Sequence, residues 1–195
     1  MKPMETYDVL REAFAFFNKE LFGSKLSDCL ILLHRHRSAY GYFWAEQFTG
    51  KVHEIALNPT HIRTRKPVQT FSTLVHEMVH QLQQEHGKPP KNAYHNKQWA
   101  GMMKEVGLQP DDGEGNETGR YVSHKVVPGG KFAVAFDRFS REYDCNLMGV
   151  MPTAKKPKGK TSKFKFECPG CEQCAWAKET AALVCGECQE IMEAA

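Results

Sequence analysis

The sequence lacks any apolar run long enough to cross a membrane, which would need about 20 consecutive apolar residues. It also lacks an apolar secretion signal near its start, where Glu5 and Asp8 introduce acidic side chains. These two absences argue against a membrane protein and against a membrane partner. We therefore expect an intracellular, cytoplasmic protein.

A strong net charge is missing as well, because 26 basic and 23 acidic side chains leave a formal charge of +3. This balance gives no overall signature of a nucleic-acid-binding protein. Hydrophobic residues make up 41% of the 195 positions and charged residues 25%, as in ordinary globular proteins. A chain of this length can bury one good core and carry a small appendage, so we expect a main domain over residues 1–150 and a minidomain over residues 166–195.

The segment from His76 to His80 reads His-Glu-Met-Val-His. On a helix, two histidines four residues apart project from the same face, so both imidazoles can bind one metal ion. Glu77 lies beside the first histidine. There it can accept a proton from a metal-bound water, which is the task of the general base in a zinc hydrolase.

The sequence around this motif predicts the helix that it requires. Apolar residues recur at spacings of three and four from Thr70 to His86, the period of an amphipathic helix. Thr70 or Ser72 can cap the start, and Gly87 followed by two prolines provides a stop signal. A core helix could carry two histidines and a glutamate without any metal, but glutamate is rarely buried without a partner. We therefore favour a metal site.

Catalytic zinc normally has three protein ligands, so a third must come from elsewhere in the chain. His86 is excluded, because a continuous helix places it roughly 15 Å from His76 along the axis. Two candidates remain. Glu105 lies on a second predicted helix over residues 96–106, and His95 stands at the entrance to that helix, after a loop that can fold back over the metal. The position at the helix entrance favours His95 and leaves Glu105 as the alternative.

The chain before the motif predicts one helix and three strands. Apolar residues at helical spacing cover residues 4–22, and a short apolar run at residues 29–34 is typical of a buried strand. Residues 40–46 and 51–57 are predicted to form a hairpin around Thr49 and Gly50.

After the motif, a polar glycine-rich loop at residues 109–119 precedes a second predicted hairpin, an insert over about residues 119–137. Its strands are residues 121–127 and 131–136. His124 lies in it, and its spacing favours a structural or solvent-facing role over metal ligation. Tyr94, Tyr121 and His124 are all candidates for stabilising an oxyanion, and the sequence does not choose among them.

Residues 151–165 are predicted to form a basic linker, since the stretch from residue 155 to residue 165 contains six lysines and no acid. Such a stretch can grip phosphate backbones without reading sequence, or it can serve only as a soluble spacer. The candidate nucleic-acid-binding residues are Lys155, Lys156, Lys158, Lys160 and Lys163.

Seven cysteines, an odd number, fit metal ligation in a reducing compartment better than disulfides. Four of them form two CxxC pairs separated by thirteen residues, which is typical of a closed, tetrahedral structural zinc site. A segment this short needs the metal for much of its stability. Cys174 also forms a CxxC pair with Cys171, but the pair of Cys168 and Cys171, which has proline between its cysteines, is favoured. The predicted ligands are Cys168, Cys171, Cys185 and Cys188.

Several of these motifs together resemble the SprT-like (Spartan) metalloprotease domain. The resemblance is carried by the HExxH motif and by the following run Tyr94-His95-Asn96-Lys97-Gln98-Trp99, because the third zinc ligand of that family is a histidine followed four residues later by an aromatic residue. The end of the first helix, Leu21-Phe22-Gly23, and the strand at residues 40–44 are also similar to that family. The C-terminal cysteines resemble its zinc ribbon. The resemblance to the protease domain covers about residues 5–108.

The resemblance implies a zincin-like α+β fold with a small antiparallel sheet, an HExxH helix and a C-terminal zinc ribbon. It implies one catalytic zinc bound by His76, His80 and His95, with Glu77 as the catalytic base, and one structural zinc. The implied activity is that of a zinc-dependent endopeptidase acting on proteins attached to DNA and recruited or activated by DNA. Two alternatives stay open: a nucleic-acid-binding or regulatory zinc protein without proteolysis, and a general zinc peptidase without DNA dependence.

Overall fold

The computed structural model describes residues 6–48, 52–91, 94–145, 147 and 163–195. The chain separates into two compact units, Met1–Met151 and Pro152–Ala195. The predicted turn at Thr49 and Gly50 lies outside the described residues. None of the helices in the described part of the chain is both long enough and apolar enough to span a membrane.

The first unit contains a mixed three-stranded sheet of β1 (Cys29–Leu33), β2 (Gly41–Phe48) and β3 (Val52–Leu57). The central strand β3 pairs antiparallel with β2 and parallel with β1. The predicted hairpin of β2 and β3 is present. The expectation of an antiparallel sheet is wrong for β1, because this strand runs parallel to its neighbour β3.

Five helices accompany the strands of this unit among its described residues: α1 (Thr6–Phe22), α2 (Pro59–Ile62), α3 (Pro67–His86), α4 (Lys97–Glu105) and α5 (Lys131–Glu142). Helix α1 ends at a glycine with a φ of 62°, a conformation that glycine adopts at little cost.

The predicted caps of α3, Thr70 and Ser72, are wrong, because the helix begins at Pro67. Proline suits the first helical position, where its missing N–H costs no hydrogen bond. The Gln69 side chain accepts a hydrogen bond from the Lys66 N–H at 3.0 Å and so satisfies a free donor just before the helix.

Residues 131–136 are the first half of α5 and not a strand, so the predicted second hairpin is wrong. The apolar residues Phe132, Ala135, Phe136 and Phe139 recur at spacings of three and four, a helical period that becomes visible only when the window extends to residue 139. Gly130 caps this helix instead of turning a hairpin.

Phenylalanines of three helices meet in the core of the first unit. The Phe17 ring of α1 lies 6.3 Å from the Phe71 ring of α3, and 5.7 and 5.5 Å from the Phe132 and Phe139 rings of α5. All four side chains are fully buried. This packing holds α3 rigidly between α1 and α5, so the motif lies on a fixed support.

The segment that was predicted to pair with residues 131–136 pairs instead with an earlier strand. Strand β5 (Ser123–Val126) is antiparallel to β4 (Leu108–Asp111), with His124 opposite Pro110. An ion pair between Lys125 and Asp111 joins the two strands at their exposed side. This pairing turns β5 back toward α3.

The second unit is a small sheet of β6 (Phe164–Glu167), β7 (Cys174–Ala177) and β8 (Glu193–Ala194), in the order β7-β6-β8. The buried residues of its apolar cluster are Phe166, Met192, Cys168 and Cys185, and a few partly buried residues such as Leu183 pack against them. So small a core supports the expectation that a bound metal contributes much of the stability of this unit.

Candidate active site

The motif lies in the middle of α3, where two histidines face the same side of the helix. The rings of His76 and His80 are one turn apart, with centroids 5.1 Å from each other. Glu77 directly follows His76 on the helix and is also buried. The helical spacing predicted from the sequence therefore places both imidazoles side by side.

His95 reaches the same place from the entrance to α4. Asn96 caps that helix by accepting a hydrogen bond from the Trp99 N–H at 3.0 Å. The backbone of His95 forms a two-sided bridge with Gly119, with N···O distances of 2.7 and 3.0 Å. The Nδ1 atom of His95 lies 3.1 Å from the same Gly119 carbonyl. Both the backbone and the ring of His95 are thus held by one residue of the loop before β5.

The structure brings the three predicted histidines together. One ring nitrogen from each of His76, His80 and His95 lies within 4.8 Å of the other two. The alternative ligand Glu105 does not join this group and lines a different cavity, beside Leu21 and Met102. His86 lies at the end of α3, with its Nε2 atom 2.9 Å from the Lys25 carbonyl oxygen. Among the described residues, the geometry therefore favours His95.

Trp99 packs against all three histidines. Its side chain is fully buried, and its ring centroid lies 5.0 Å from that of His76, 5.3 Å from that of His80 and 4.2 Å from that of His95. It is stacked on His80 and edge-on to the other two rings. The indole therefore restricts the directions in which the three imidazoles can turn.

Burial sets the protonation states of the site. Loss of hydration lowers the pKa of His76, lowers that of His80 to about 3, and lowers that of His95. The neighbouring histidines reinforce this effect at His76 and His80. All three rings are thus neutral at physiological pH, the form in which imidazole binds a metal. The same burial raises the pKa of Glu77 to about 8.

Glu77 is pressed against the first residue of β2. A Cβ atom added at Gly41 would lie 3.1 Å from the Glu77 Oε1 atom, 3.0 Å from the Thr73 Cγ2 atom and 3.0 Å from the Ala56 carbonyl oxygen. Glycine is therefore the residue that lets the strand approach the carboxyl group this closely.

The histidines and Glu77 open into a cleft of about 670 Å³. Strand β2 forms one wall, on which the rings of Tyr42 and Trp44 lie 5.3 Å apart. The segment from Arg120 to His124 lines the cleft as well. Of the candidate oxyanion stabilisers, Tyr94 and Tyr121 are exposed at its rim, and Tyr121 keeps 85% of its surface accessible.

His124 is a site residue whose role the sequence did not predict. Its Nδ1 atom lies 3.0 Å from the Nδ1 atom of His76, and its Nε2 atom lies 2.9 Å from the Ser72 hydroxyl oxygen. Burial lowers the pKa of His124 to about 4. It is outside the group of three histidines, as expected, but it touches one of them. The alternation of residues in β5 indicates an inward side chain but not its partner, because the sequence predicts pairing with residues 131–136 whereas β5 pairs with β4.

The four predicted cysteines of the second unit also come together. The sulfur atoms of Cys168, Cys171, Cys185 and Cys188 lie within 4.8 Å of one another. Cys174 lies outside this group, with its sulfur 3.4 Å from the Glu172 carbonyl oxygen. This cluster could hold a metal ion.

The two halves of the cysteine cluster have the same local backbone. The N–H of Glu172 donates to the Cys168 carbonyl, and the N–H of Gln189 donates to the Cys185 carbonyl, both at 2.9 Å. Glu172 and Gln189 have φ values of 59° and 58°. Backbone N–H groups lower the pKa of the Cys185 thiol to about 7, whereas the neighbouring Cys171 thiol and burial raise that of Cys188 to about 12. A bound metal would favour the thiolate form of each ligand.

Most of the predicted nucleic-acid contacts lie outside the described residues, namely Lys155, Lys156, Lys158 and Lys160. Lys163 is described and is exposed immediately before β6.

Comparisons with known proteins place this site in a family. A protein of Salmonella typhimurium, described as an uncharacterized protein in the mucB 3′ region, is 47% identical over 47 residues, which are 24% of this chain and 64% of that protein. The chain thus spans a little under two thirds of the length of this relative. A comparison with family models matches residues 10–120, a range that includes His76, His80 and His95, to the SprT-like family. Because this match covers more than half of the sequence, the chain belongs to the SprT-like family.

Proposed function

We propose that this protein is a zinc-dependent endopeptidase whose catalytic metal is bound by His76, His80 and His95. The observation that carries the proposal is the convergence of these three imidazoles, with Glu77 beside them, in a cleft open to solvent. Family membership supports it, since SprT-like proteins are metallopeptidase-like. An HExxH zinc site next to a sheet is the general plan of zincin peptidases.

The chemistry of the three donors fits zinc. Catalytic zinc sites take three protein ligands and keep a fourth position open, and neutral imidazole is a preferred ligand. One ring nitrogen of each histidine lies within 4.8 Å of the other two, so these three side chains would hold the ion. When bound, zinc would supply Lewis acidity toward a water molecule and a peptide carbonyl.

Glu77 would act as the general base. Its carboxyl group lines the cleft beside the histidines, so it can take a proton from the attacking water and deliver it to the departing amine nitrogen. A bound cation would favour the ionised carboxylate and lower the raised pKa of Glu77. The Glu77 carboxylate would therefore be ionised, and able to act as a base, when the metal is bound.

Strand β2 offers a binding surface for a peptide substrate. It is at the edge of the three-stranded sheet and lines the cleft, so its outer backbone groups can pair with an extended chain. Trp44 is 55% exposed on this strand and can contact substrate side chains. An extended polypeptide crossing the site is the arrangement expected of an endopeptidase.

We further propose that the substrates are proteins bound or crosslinked to DNA, and that DNA stimulates cleavage. The sequence supports this through its lysine-rich segment next to the cysteine cluster. A row of lysines binds phosphates in a salt-dependent and largely sequence-independent way. The family resemblance supports the same assignment.

The peptidase proposal is tested with Glu77→Gln in the full chain. The amide keeps the size of the side chain but cannot accept the proton, so cleavage of a protein substrate should disappear while two zinc ions per chain remain. Metal content is measured alongside cleavage. Equal cleavage by both forms, or no cleavage of any protein with or without DNA, would contradict the proposal and leave the alternative of a zinc-binding protein without proteolysis.

The proposed DNA dependence needs a separate experiment. Cleavage is compared without DNA, with single-stranded DNA and with duplex DNA across a series of salt concentrations. Stimulation that declines as salt rises is expected if lysine–phosphate contacts recruit the enzyme. A cleavage rate that ignores DNA at every salt concentration would leave a general zinc peptidase.

A further inference from the structure

A chain of three short contacts runs from His76 back into its own helix. The Nδ1 atom of His76 lies 3.0 Å from the Nδ1 atom of His124, whose Nε2 atom lies 2.9 Å from the Ser72 hydroxyl oxygen. That hydroxyl lies 3.0 Å from the Gln69 carbonyl oxygen. Ser72 and His76 are four residues apart on α3, so His124 of β5 bridges two consecutive turns of the helix.

The hydrogen atoms in this chain can be placed from its far end. A carbonyl oxygen only accepts, so the Ser72 hydroxyl donates to Gln69. The Ser72 oxygen then accepts from the N–H at Nε2 of His124. A neutral imidazole carries a single N–H, so the Nδ1 atom of His124 has a free lone pair and accepts from Nδ1 of His76. His76 is left with its lone pair on Nε2.

We propose that Ser72 and His124 are positioning residues, which fix the tautomer of His76 so that Nε2 is its metal-binding atom. A ligand histidine whose other nitrogen donates a hydrogen bond is held in orientation and binds the metal more strongly. His124 lies on β5, outside the 10–120 range matched to the family. The inference rests on the histidine metal site of the proposed function and does not depend on peptide cleavage.

The same segment orients a second ligand. The Gly119 carbonyl accepts a hydrogen bond from the backbone N–H of His95 at 2.7 Å, and its distance of 3.1 Å to Nδ1 places it to accept from the ring as well. That bond leaves Nε2 of His95 with its lone pair. The stretch from Gly119 to His124 therefore supports two of the three imidazoles, although none of its residues belongs to the group of three.

The test compares His124→Phe with His124→Asn in the full chain. Phenylalanine keeps a ring but removes the acceptor, whereas the Oδ1 atom of asparagine stands close to the place of Nδ1 and can accept from His76. We expect His124→Phe to weaken zinc binding at the histidine site about 10- to 100-fold, and His124→Asn to stay within about threefold of the unaltered protein. Ser72→Ala should weaken binding less than His124→Phe, because it removes only the second bond of the chain. His34→Phe removes an exposed histidine outside the site and is the matched control.

Cobalt(II) is the probe, because it separates the two metal sites. Thiolate ligands give intense charge-transfer absorption, so cobalt at the cysteine cluster is recognised by this band and cobalt at the histidine site by its ligand-field bands. Zinc is then added, and the loss of the ligand-field bands as zinc displaces cobalt gives the zinc affinity of the histidine site. Circular dichroism of each variant checks the fold, and Ser72→Ala carries the test if His124→Phe does not fold.

The inference is overturned if His124→Phe or Ser72→Ala binds zinc as tightly as the control, or if His124→Asn loses as much affinity as His124→Phe. The second result would show that ring packing matters rather than the acceptor. The expected order of affinities together with absent proteolysis would keep this inference and contradict the proposed function. Normal proteolysis together with unchanged zinc affinities in the His124 and Ser72 variants would keep the proposed function and contradict this inference.

Discussion

At the scale of single residues, the site concentrates buried polar groups whose charged forms are unfavourable without a metal. Glu77 is buried on α3, and burial raises its pKa to about 8. In the unfolded chain the same group has an ordinary pKa of 4.5. Between these two values the folded metal-free protein holds a proton that the unfolded chain releases. The free energy of unfolding of the metal-free protein therefore falls as the pH rises through this window.

This linkage predicts the behaviour of Glu77→Gln in metal-free protein. The variant should match the unaltered protein at pH 5 and be more stable at pH 8, by on the order of 2–4 kcal/mol, because its side chain cannot ionise. The measurement is chemical denaturation of chelator-treated protein across this range. Glu105→Gln, on α4, is the matched control for the loss of one carboxyl group. A stability difference that stays constant from pH 5 to pH 8 would contradict the prediction.

The sequence predicts some residues of the site and not others. His76, Glu77 and His80 follow from helical spacing alone, because their geometry is local. His95 needed the position of a helix entrance and the family resemblance. His124 could not be placed, since its contact with His76 joins residues 48 positions apart and depends on how β5 pairs.

At the scale of helices and strands, the same distinction between local and distant information applies. Helix α3 was predicted because its period, its end and its motif agree. Residues 131–136 alone fit either a strand or a helix, and the helical period of α5 appears only when Phe139, which is buried against α1 and α3, is included. The residues of β1 and β3 do not indicate that the two strands pair in parallel. The direction of β1 depends instead on how the segment between β1 and β2 crosses the sheet.

Helix α5 should be indispensable to the core of the first unit. Phe139→Ala is expected to lower the free energy of unfolding by about 3–5 kcal/mol, because it leaves a cavity among the rings of Phe17, Phe71 and Tyr143. Val134→Ala on the same helix removes a side chain that is 53% exposed and should cost far less. Equilibrium denaturation of both variants makes the comparison. Equal losses would show that α5 does not pack as described.

The close approach of β2 to α3 gives a further prediction. Gly41→Ala places a Cβ atom against the Ala56 carbonyl, Thr73 and Glu77, so the strand or the carboxyl group must move. We expect proteolysis to fall about 10- to 100-fold. Zinc content should not change, because no ligand lies on this strand. Cleavage kinetics and metal analysis together make the measurement.

Gly101→Ala on α4 is the control, since nothing lies within 4 Å of the added atom and alanine favours the helix. Full activity in Gly41→Ala would contradict the prediction.

At the scale of the whole molecule, the two units each contain their own candidate metal cluster: three imidazoles in the first and four cysteine thiols in the second. The donors differ as catalytic and structural zinc sites do, since the first set leaves a coordination position free and the second is complete. We therefore expect the two ions to differ in role and in how strongly each stabilises its unit.

Removal of one cysteine should empty only one site. Cys185→Ser is expected to reduce the zinc content from two ions per chain to one and to unfold the second unit, because its core is too small without the metal. Cys174→Ser should retain two ions, since Cys174 lies outside the cluster. Metal analysis of both purified variants is sufficient. Loss of zinc from Cys174→Ser would show that Cys174 is a ligand and that Cys171 pairs with Cys174 rather than with Cys168.

The burial of Trp99 has an optical consequence. Among the described residues, its indole N–H is enclosed without a hydrogen-bond partner and its ring touches three imidazoles, whereas Trp44 and Trp176 are 55% and 61% exposed. Its emission should therefore lie at shorter wavelength than that of the other two tryptophans. A paramagnetic ion held by those imidazoles would quench this blue-shifted component, so the protein carries an intrinsic fluorophore at its candidate metal centre.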